Sequence, residues 1–231
     1  MNVKNLRLSI ALSFGLLLAS LWSVGQTVVG NDAASNYETA TWIDGANQGS
    51  GFGAWQITNE GSTAGTFVWT STENGHGDIN TSDLSFGIWS NNTGALTAMR
   101  EVTEWGNEHS FSIQLAVQWR DGSKGLKLFN DAETEIWDFS ITDDGYGGTP
   151  WDYYSDIILT FVVTQNGSDI NISVIGSSEG STWTDEWNTA IISETLGGFS
   201  VYKNGGTDDG AGERNLFFNN LSISRPTVNA T

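Results

Sequence analysis

The chain has no cysteine in its 231 residues. Disulfides, thiolate zinc sites, iron–sulfur clusters and cysteine nucleophiles are therefore excluded. The absence is compatible with export, because dense disulfide frameworks belong to small secreted domains. A chain of this length buries a sufficient core without them.

Positive charge is also scarce, with 9 Lys and Arg residues against 27 Asp and Glu residues and a net charge of −18. We therefore expect no nucleic acid partner, since phosphate binding requires a basic face. Anionic membrane surfaces are disfavoured for the same reason. Two interpretations of the acidity stay open: solubility through self-repulsion, or calcium binding by a few loop carboxylates.

The sequence has only 2 prolines and no amphipathic helical stretch of normal length, while it has 28 glycines and 12% aromatic residues. This composition is typical of short strands joined by tight turns. The clearest strand covers residues 109–119, where apolar and polar side chains alternate over five repeats. The Asp-Gly pair at residues 121 and 122 then leads to renewed alternation at residues 125–129, which indicates a hairpin.

Further strands are predicted at residues 53–58, 66–70, 85–89, 97–102, 135–141, 156–164, 169–175, 198–202 and 216–223. Short strands joined by turns, without intervening helices, predict an all-β fold. We expect an antiparallel two-sheet β-sandwich of jelly-roll type, formed as one domain by residues 26–231. Four tryptophans fall within apolar alternation and are expected in its core: Trp55, Trp69, Trp119 and Trp137.

Residues 1–25 predict a signal peptide. Lys4 and Arg7 precede an apolar run at residues 8–21, and the small residues Ser23 and Gly25 then suit cleavage near Gly25. The run is too short for a comfortable membrane span, although an uncleaved anchor is the alternative. We expect a secreted or cell-surface protein with no integral membrane segment after processing.

Several short motifs together carry a family resemblance. They are SGFGAW at residues 50–55, INT at 79–81 with SFG at 85–87, GFSVY at 198–202 and NLFFNNL at 215–221, with Asn36 and Tyr37 near the start. The combination resembles bacterial secreted domains with a concanavalin A-like β-sandwich of the lectin and glucanase type. The resemblance spans the chain after the leader and implies that fold. It does not single out a function, because lectins, sugar-binding modules, hydrolases and adhesins share such sandwiches.

Two groups of aromatic residues lie amid polar residues, where a purely structural role is less expected. Sugar rings stack on flat aromatic faces, while neighbouring polar groups bond the hydroxyls. We therefore predict a ligand site on loop aromatics, and the alternative for each is to cap the end of the core. The residues are Trp151, Tyr153, Tyr154, Trp183 and Trp187.

The glycine-rich loop at residues 204–213 carries three carboxylates, Asp208, Asp209 and Glu213. Oxygen ligands on a flexible backbone suit the large coordination shell of calcium. A structural calcium ion is therefore a candidate cofactor at these residues, and an ordinary acidic loop is the alternative.

Catalytic patterns are weak. Glu133, Glu135 and Asp138 are the best hydrolase carboxylates, but strict alternation puts Asp138 on the opposite face of its strand from the other two. His76 lies in a glycine-rich stretch that we interpret as a surface loop, with a metal contact shared with Asp78 as the alternative. We assign no catalytic residue.

The sequence thus predicts a secreted, non-catalytic, lectin-like module whose partner is a polysaccharide or glycan. Two alternatives stay open: a structural or adhesive extracellular surface protein, and a glycoside hydrolase acting on polysaccharide.

Overall fold

The computed structural model describes residues 25–38, 42–179 and 184–227, without the side chains of residues 188–190. The predicted signal peptide lies outside the described residues, apart from Gly25. In the described part of the chain, fourteen strands form two sheets.

The first sheet contains eight strands: β1 (Gln26–Asp32), β3 (Ala64–Trp69), β4 (Ser85–Ser90), β6 (Ser110–Val117), β10 (Ile157–Asn166), β11 (Asp169–Ser178), β12 (Thr184–Ile192) and β14 (Leu216–Pro226). The second sheet contains six: β2 (Gln56–Glu60), β5 (Asn92–Glu101), β7 (Ser123–Phe129), β8 (Glu135–Thr142), β9 (Gly145–Tyr146) and β13 (Gly198–Gly206). The first sheet runs β12-β11-β10-β6-β14-β4-β3, with β1 paired to β14, and the second runs β2-β5-β13-β7-β8-β9.

The alternation that predicted β6 has its physical basis here. Phe111, Ile113 and Leu115 are buried, while Ser112 and Gln114 on the opposite face are only half-buried. All strand pairs are antiparallel. The predicted fold class, an all-β jelly-roll sandwich of two antiparallel sheets, is confirmed.

Aromatic rings from both sheets form the centre of the core. Phe111 of β6 stacks on Phe199 of β13 with ring centroids 4.8 Å apart. Trp42 contacts Trp55, Phe86 and Phe218 at 4.7–5.6 Å. Rings that tilt against one another in this way bury large areas and prefer such geometry.

The sequence did not predict β1, β9 or β12. Trp187, interpreted as a loop residue, lies in β12, where it pairs with Val174 of β11 and packs against the core. β12 is an edge strand, and it carries exposed Asp185 and Glu186 beside this tryptophan. A strand with so much exposed polar sequence lacks the contrast between faces on which prediction depends.

The core prediction for tryptophans is right for Trp55, which is fully buried, and wrong for Trp69. Trp69 is 47% exposed, while Val68 beside it points inward. Trp137 is half-buried against the core, and Trp119 is half-buried at one end of the sandwich.

The segment containing His76 is packed on the outer face of the first sheet instead of forming a surface loop. His76 is only 3% exposed, and its ring meets the edge of Phe217 at 4.8 Å. Buried Asn219 of β14 anchors the same segment by donating from Nδ2 to the carbonyls of Ile79 and Leu84, each at 2.9 Å. Asn219 of the NLFFNNL motif thus has a structural role.

Several connections between the sheets meet at one end of the sandwich. Val117, the last residue of β6, pairs with both Ile157 at the start of β10 and Leu216 at the start of β14. Leu216 also pairs with Ile88 near the end of β4. The β6–β7, β9–β10 and β13–β14 connections therefore lie close together, although they are far apart in sequence.

In the described segments, no helix has the length and apolar character that a membrane crossing requires.

Candidate functional site

These connections, together with the β8–β9 turn, line an open cavity of about 420 Å³, which we call the end pocket. It is lined by Trp119, Arg120, Asp121, Asp143, Tyr153 and Arg214. Aromatic rings and charged groups of both signs therefore converge on one open cavity, which is the composition expected of a site for a polar ligand with an apolar face.

Trp119 is fixed by contacts on both its backbone and its ring. Its N–H donates to the carbonyl of Glu213 at 3.0 Å, and the guanidinium carbon of Arg214 lies 4.6 Å from its ring centroid. Cation–π contacts of this kind favour one ring orientation. The β6–β7 and β13–β14 connections are thereby joined at the pocket.

Arg214 also pairs with two carboxylates. It donates from Nε and Nη2 to the two oxygens of Asp209 at 2.9 and 2.7 Å, and its Nη1 lies 3.1 Å from Asp121. This forked arrangement holds the pKa of Asp209 at about 2, chiefly through the hydrogen bonds from Arg214. Arg214 is therefore committed to internal partners.

Asp121 is held in its ionised form. Burial alone would raise its pKa, but hydrogen bonds from the backbone and hydroxyl of Thr207, at 2.8 and 3.0 Å, together with the charges of Arg214 and Lys203, lower the pKa overall. A carboxylate that is ionised and occupied in this way is unsuited to act as a general acid.

Arg120 lies between two tyrosines. Its guanidinium carbon is 5.4 Å from the ring centroid of Tyr146 and 5.3 Å from that of Tyr153. Tyr153 is 43% exposed, and its hydroxyl donates to the carbonyl of Gln118 at 2.6 Å. Since its hydroxyl is hydrogen-bonded and its ring contacts Arg120, Tyr153 lines the pocket in a defined orientation.

Two buried lysines support the pocket from below. Lys124 of β7 and Lys203 of β13 are directly opposite one another on the inner face of the second sheet. Lys124 Nζ donates to the carbonyls of Trp119 and Arg214 at 2.6 and 2.8 Å, and Lys203 Nζ donates to those of Ser90 and Gly205, each at 2.8 Å. Burial lowers the pKa of both amines, that of Lys203 to about 8.

The predicted ligand-binding aromatics do not all reach the end pocket. Tyr153 lines it, whereas Trp151 is 7% exposed and donates from Nε1 to Asp185 at 3.0 Å. Tyr154 and Trp187 are half-buried against the core, and Trp183 lies outside the described residues. A ligand role for all five residues stays a prediction.

The three predicted calcium ligands have other contacts or lie apart. Asp208 accepts hydrogen bonds from the side chains of Asn91 and Asn92, each at 3.0 Å, and Asp209 is paired with Arg214. Across residues 25–38, 42–179 and 184–227, no group of three His, Asp or Glu side chains is placed to hold a metal ion. Calcium binding by Asp208, Asp209 and Glu213 stays a prediction.

The expected orientation of Asp138 is wrong for an identifiable reason. A β-bulge inserts Ile136 between the residues of β8 that pair with Leu128 and Phe129. The extra residue turns Glu135 and Asp138 to the same outer face, where Lys127 donates to Glu135 at 2.7 Å and Tyr202 donates to Asp138 at 3.1 Å. Burial raises the pKa of Asp138.

Most of the end pocket was not predicted from the sequence. Trp119 was interpreted as core, and no spaced motif marks Arg120, Asp121 or Arg214. Asp121 carried a signal only as part of a turn. A cation that directly follows the predicted strand at residues 109–119, in a chain with so few cations, is the feature that marks Arg120.

Similar solved structures include carbohydrate-binding proteins, all at low identity. A family 11 carbohydrate-binding module from Clostridium thermocellum, in complex with a β-1,3-1,4-mixed-linked tetrasaccharide, is 7% identical over 88% of this chain and 100% of its own, with a TM-score of 0.36. The exoplasmic/lumenal domain of VIP36 in a Ca²⁺/Man3GlcNAc-bound form is 11% identical over 77% of this chain and 85% of its own, with a TM-score of 0.38. The winged bean acidic lectin complexed with methyl-α-D-galactose is 8% identical over 74% of this chain and 98% of its own, with a TM-score of 0.34.

No protein-family model and no curated sequence matches the chain. The functional conclusion therefore depends on the geometry of the end pocket.

Proposed function

We propose that this chain is an exported, non-catalytic carbohydrate-binding module that holds a sugar in the end pocket. The observation that carries the proposal is the fixed, exposed ring of Tyr153 at a cavity of about 420 Å³ that also presents Asp143 and Arg120. A pyranose presents an apolar face of C–H groups and a rim of hydroxyls. Such a ligand matches one aromatic platform flanked by donors and acceptors.

The pocket chemistry favours binding over hydrolysis. Hydrolysis of a glycosidic bond requires a protonated carboxylic acid beside a second carboxylate. Asp121 is ionised and bonded to Thr207 and Arg214 and does not supply that acid. Calcium is not part of the proposal, because Arg214 already neutralises Asp209.

The first prediction concerns Tyr153. Tyr153→Ala removes the platform and is expected to weaken glycan binding by roughly threefold to tenfold, the range for the loss of one aromatic contact. Tyr153→Phe keeps the ring and is expected to bind nearly as the parent protein does. The measurement is isothermal titration calorimetry with oligosaccharides chosen from a glycan array.

Trp69→Ala is the matched control, because Trp69 is an equally exposed aromatic ring at a different cavity, lined by Thr70, Glu73 and Leu84 among others. Equal losses for Trp69→Ala and Tyr153→Ala would place binding outside the end pocket. No binding across the array would favour the adhesive alternative. Shortening of a polysaccharide, lost in Glu135→Gln or Asp138→Asn, would favour the hydrolase alternative.

Export is the second prediction. We propose that residues 1–25 are removed and that residues 26–231 form one domain. β1 starts at Gln26, so cleavage after Gly25 leaves every described strand complete. N-terminal sequencing of the exported protein is expected to begin at Gln26, and Gly25→Trp, which removes the small residue at the cleavage site, is expected to accumulate as precursor. Exported protein that still begins with Met1 would contradict this proposal.

A further inference from the structure

We propose that the end pocket selects an acidic sugar, and that Arg120 binds its carboxylate. This inference rests on the proposed function and specifies the class of glycan. Its starting point is the contrast between Arg120 and the other cations around it.

The cations of this chain are concentrated at one end. Arg120 and Arg214 line the end pocket, and Lys124 and Lys203 lie directly beneath it. These are four of only nine Lys and Arg residues in a chain of net charge −18. In the pocket lining, Arg120 and Arg214 balance the charges of Asp121 and Asp143, so this end of the molecule is less acidic than the chain as a whole.

Three of these cations are occupied. Arg214 pairs with Asp209 and Asp121, and Lys124 and Lys203 donate to backbone carbonyls. Arg120 has only its stacking contacts with Tyr146 and Tyr153. Within the described segments, its guanidinium has no carboxylate partner and no hydrogen-bond acceptor.

The contacts with the two tyrosine rings do not use the N–H donors of the guanidinium. These donors lie in the guanidinium plane. Those donors form a planar fork that matches a carboxylate with two parallel hydrogen bonds. Arg120 and Tyr153 line the same cavity, so a sugar bound there has the guanidinium donors within the same pocket.

The remaining pocket carboxylate narrows the ligand further. Asp143 is exposed at the lining, where its carboxylate can accept a hydrogen bond from a sugar hydroxyl. Its charge also opposes ligands with several anionic groups close together. The geometry therefore favours a uronic acid, with one planar carboxylate per sugar, over a densely sulfated chain.

The test compares a polyuronate with the same polysaccharide after its carboxyl groups have been reduced to neutral hydroxymethyl groups. Calorimetry is expected to show at least tenfold tighter binding of the polyuronate by the parent protein. Arg120→Gln is expected to lose that preference and keep its affinity for the reduced form. Arg120→Lys, which keeps the charge and loses the fork, is expected to fall between the two.

Arg225→Gln is the matched control, since it removes one exposed positive charge near the end of β14 and leaves the end pocket unchanged. It is expected to preserve the preference for the polyuronate. A thermal melt of each variant checks that it folds.

The possible outcomes separate the two proposals. Equal affinity of the parent protein for both forms, or an unchanged preference in Arg120→Gln, overturns the acidic-sugar inference and leaves carbohydrate binding intact. Tighter binding of a sulfated polymer than of the polyuronate also overturns the inference. Failure to bind either form, or any neutral glycan, overturns the proposed function itself.

Discussion

Replacing Arg100 with alanine is expected to lower the free energy of unfolding by about 3–5 kcal/mol, the range for removing one partner of a buried ion pair. Arg100 of β5 and Asp32 of β1 are both fully buried and form a salt bridge between the two sheets. Without the guanidinium, the carboxylate of Asp32 stays in the core with its charge uncompensated.

The other contacts of Arg100 add to this effect. It donates from Nε to the carbonyl of Gly53 at 2.8 Å and from Nη2 to Asn47 at 2.7 Å. Its guanidinium carbon also lies 5.1 and 4.7 Å from the ring centroids of Phe52 and Trp55. One side chain therefore connects the segment at residues 47–55 to the two sheets, and its loss weakens several elements together.

Urea denaturation followed by tryptophan fluorescence measures the change. Lys127→Ala is the control, since Lys127 pairs with Glu135 at the surface and such pairs contribute about 0–1 kcal/mol. The double variant Asp32→Asn, Arg100→Met is expected to be more stable than Arg100→Ala, because neither charge is then left unpaired. A loss in Arg100→Ala no larger than in Lys127→Ala would show that the buried pair does not hold the sheets together.

The sequence was most informative where one face of a strand is buried and the other is not. In β6 the core takes Phe111, Ile113 and Leu115, so the alternation is complete and the strand is visible in the sequence. In β12, Asp185 and Glu186 are exposed at the edge of the sheet, and the strand looked like a loop. The face of Asp138 was predicted wrongly because a bulge at Ile136 changes which residues share a face. No local pattern in the sequence indicates this bulge.

The end pocket could be predicted only in part, because its members come from separate connections. Trp119, Tyr153 and Arg214 are far apart in sequence and meet because β6, β10 and β14 have their ends in register. Local spacing carries no information about such a meeting. The sequence shows which loops are rich in aromatic residues, whereas the register of the sheet decides which of those rings is exposed.

Acidification is expected to destabilise the protein through His76. Burial holds the pKa of this imidazole at about 4, below its ordinary value of 6.5, with a smaller contribution from the charge of Lys124. Nδ1 has no hydrogen-bond partner, and Nε2 lies 3.1 Å from the carbonyl of Asn215, where the neutral ring acts as a donor. A second proton on the ring would therefore place a charge in a buried site against the ring of Phe217.

The sign of the pH dependence follows from which state binds the proton first. Between pH 6.5 and about 4, the unfolded chain protonates His76 while the folded protein does not. The contribution is fully present above pH 6.5 and is lost as the pH falls to about 4. A shift of this size corresponds to about 3 kcal/mol of unfolding free energy.

Urea denaturation at a series of pH values, compared between the parent protein and His76→Gln, isolates this contribution from that of the carboxylates. Glutamine supplies an N–H for the carbonyl of Asn215 and has no proton to gain, so the variant is expected to lose less stability over the same range. His109→Gln is the matched control, because His109 is the other histidine of the chain and is partly exposed. If the two variants and the parent protein show the same slope, burial of His76 does not control the acid response. If only His76→Gln shows a flatter dependence of the unfolding free energy on pH, protonation of His76 accounts for the acid response. The segment packed on the outer face of the first sheet then stays docked while the histidine is neutral, and acid promotes its release.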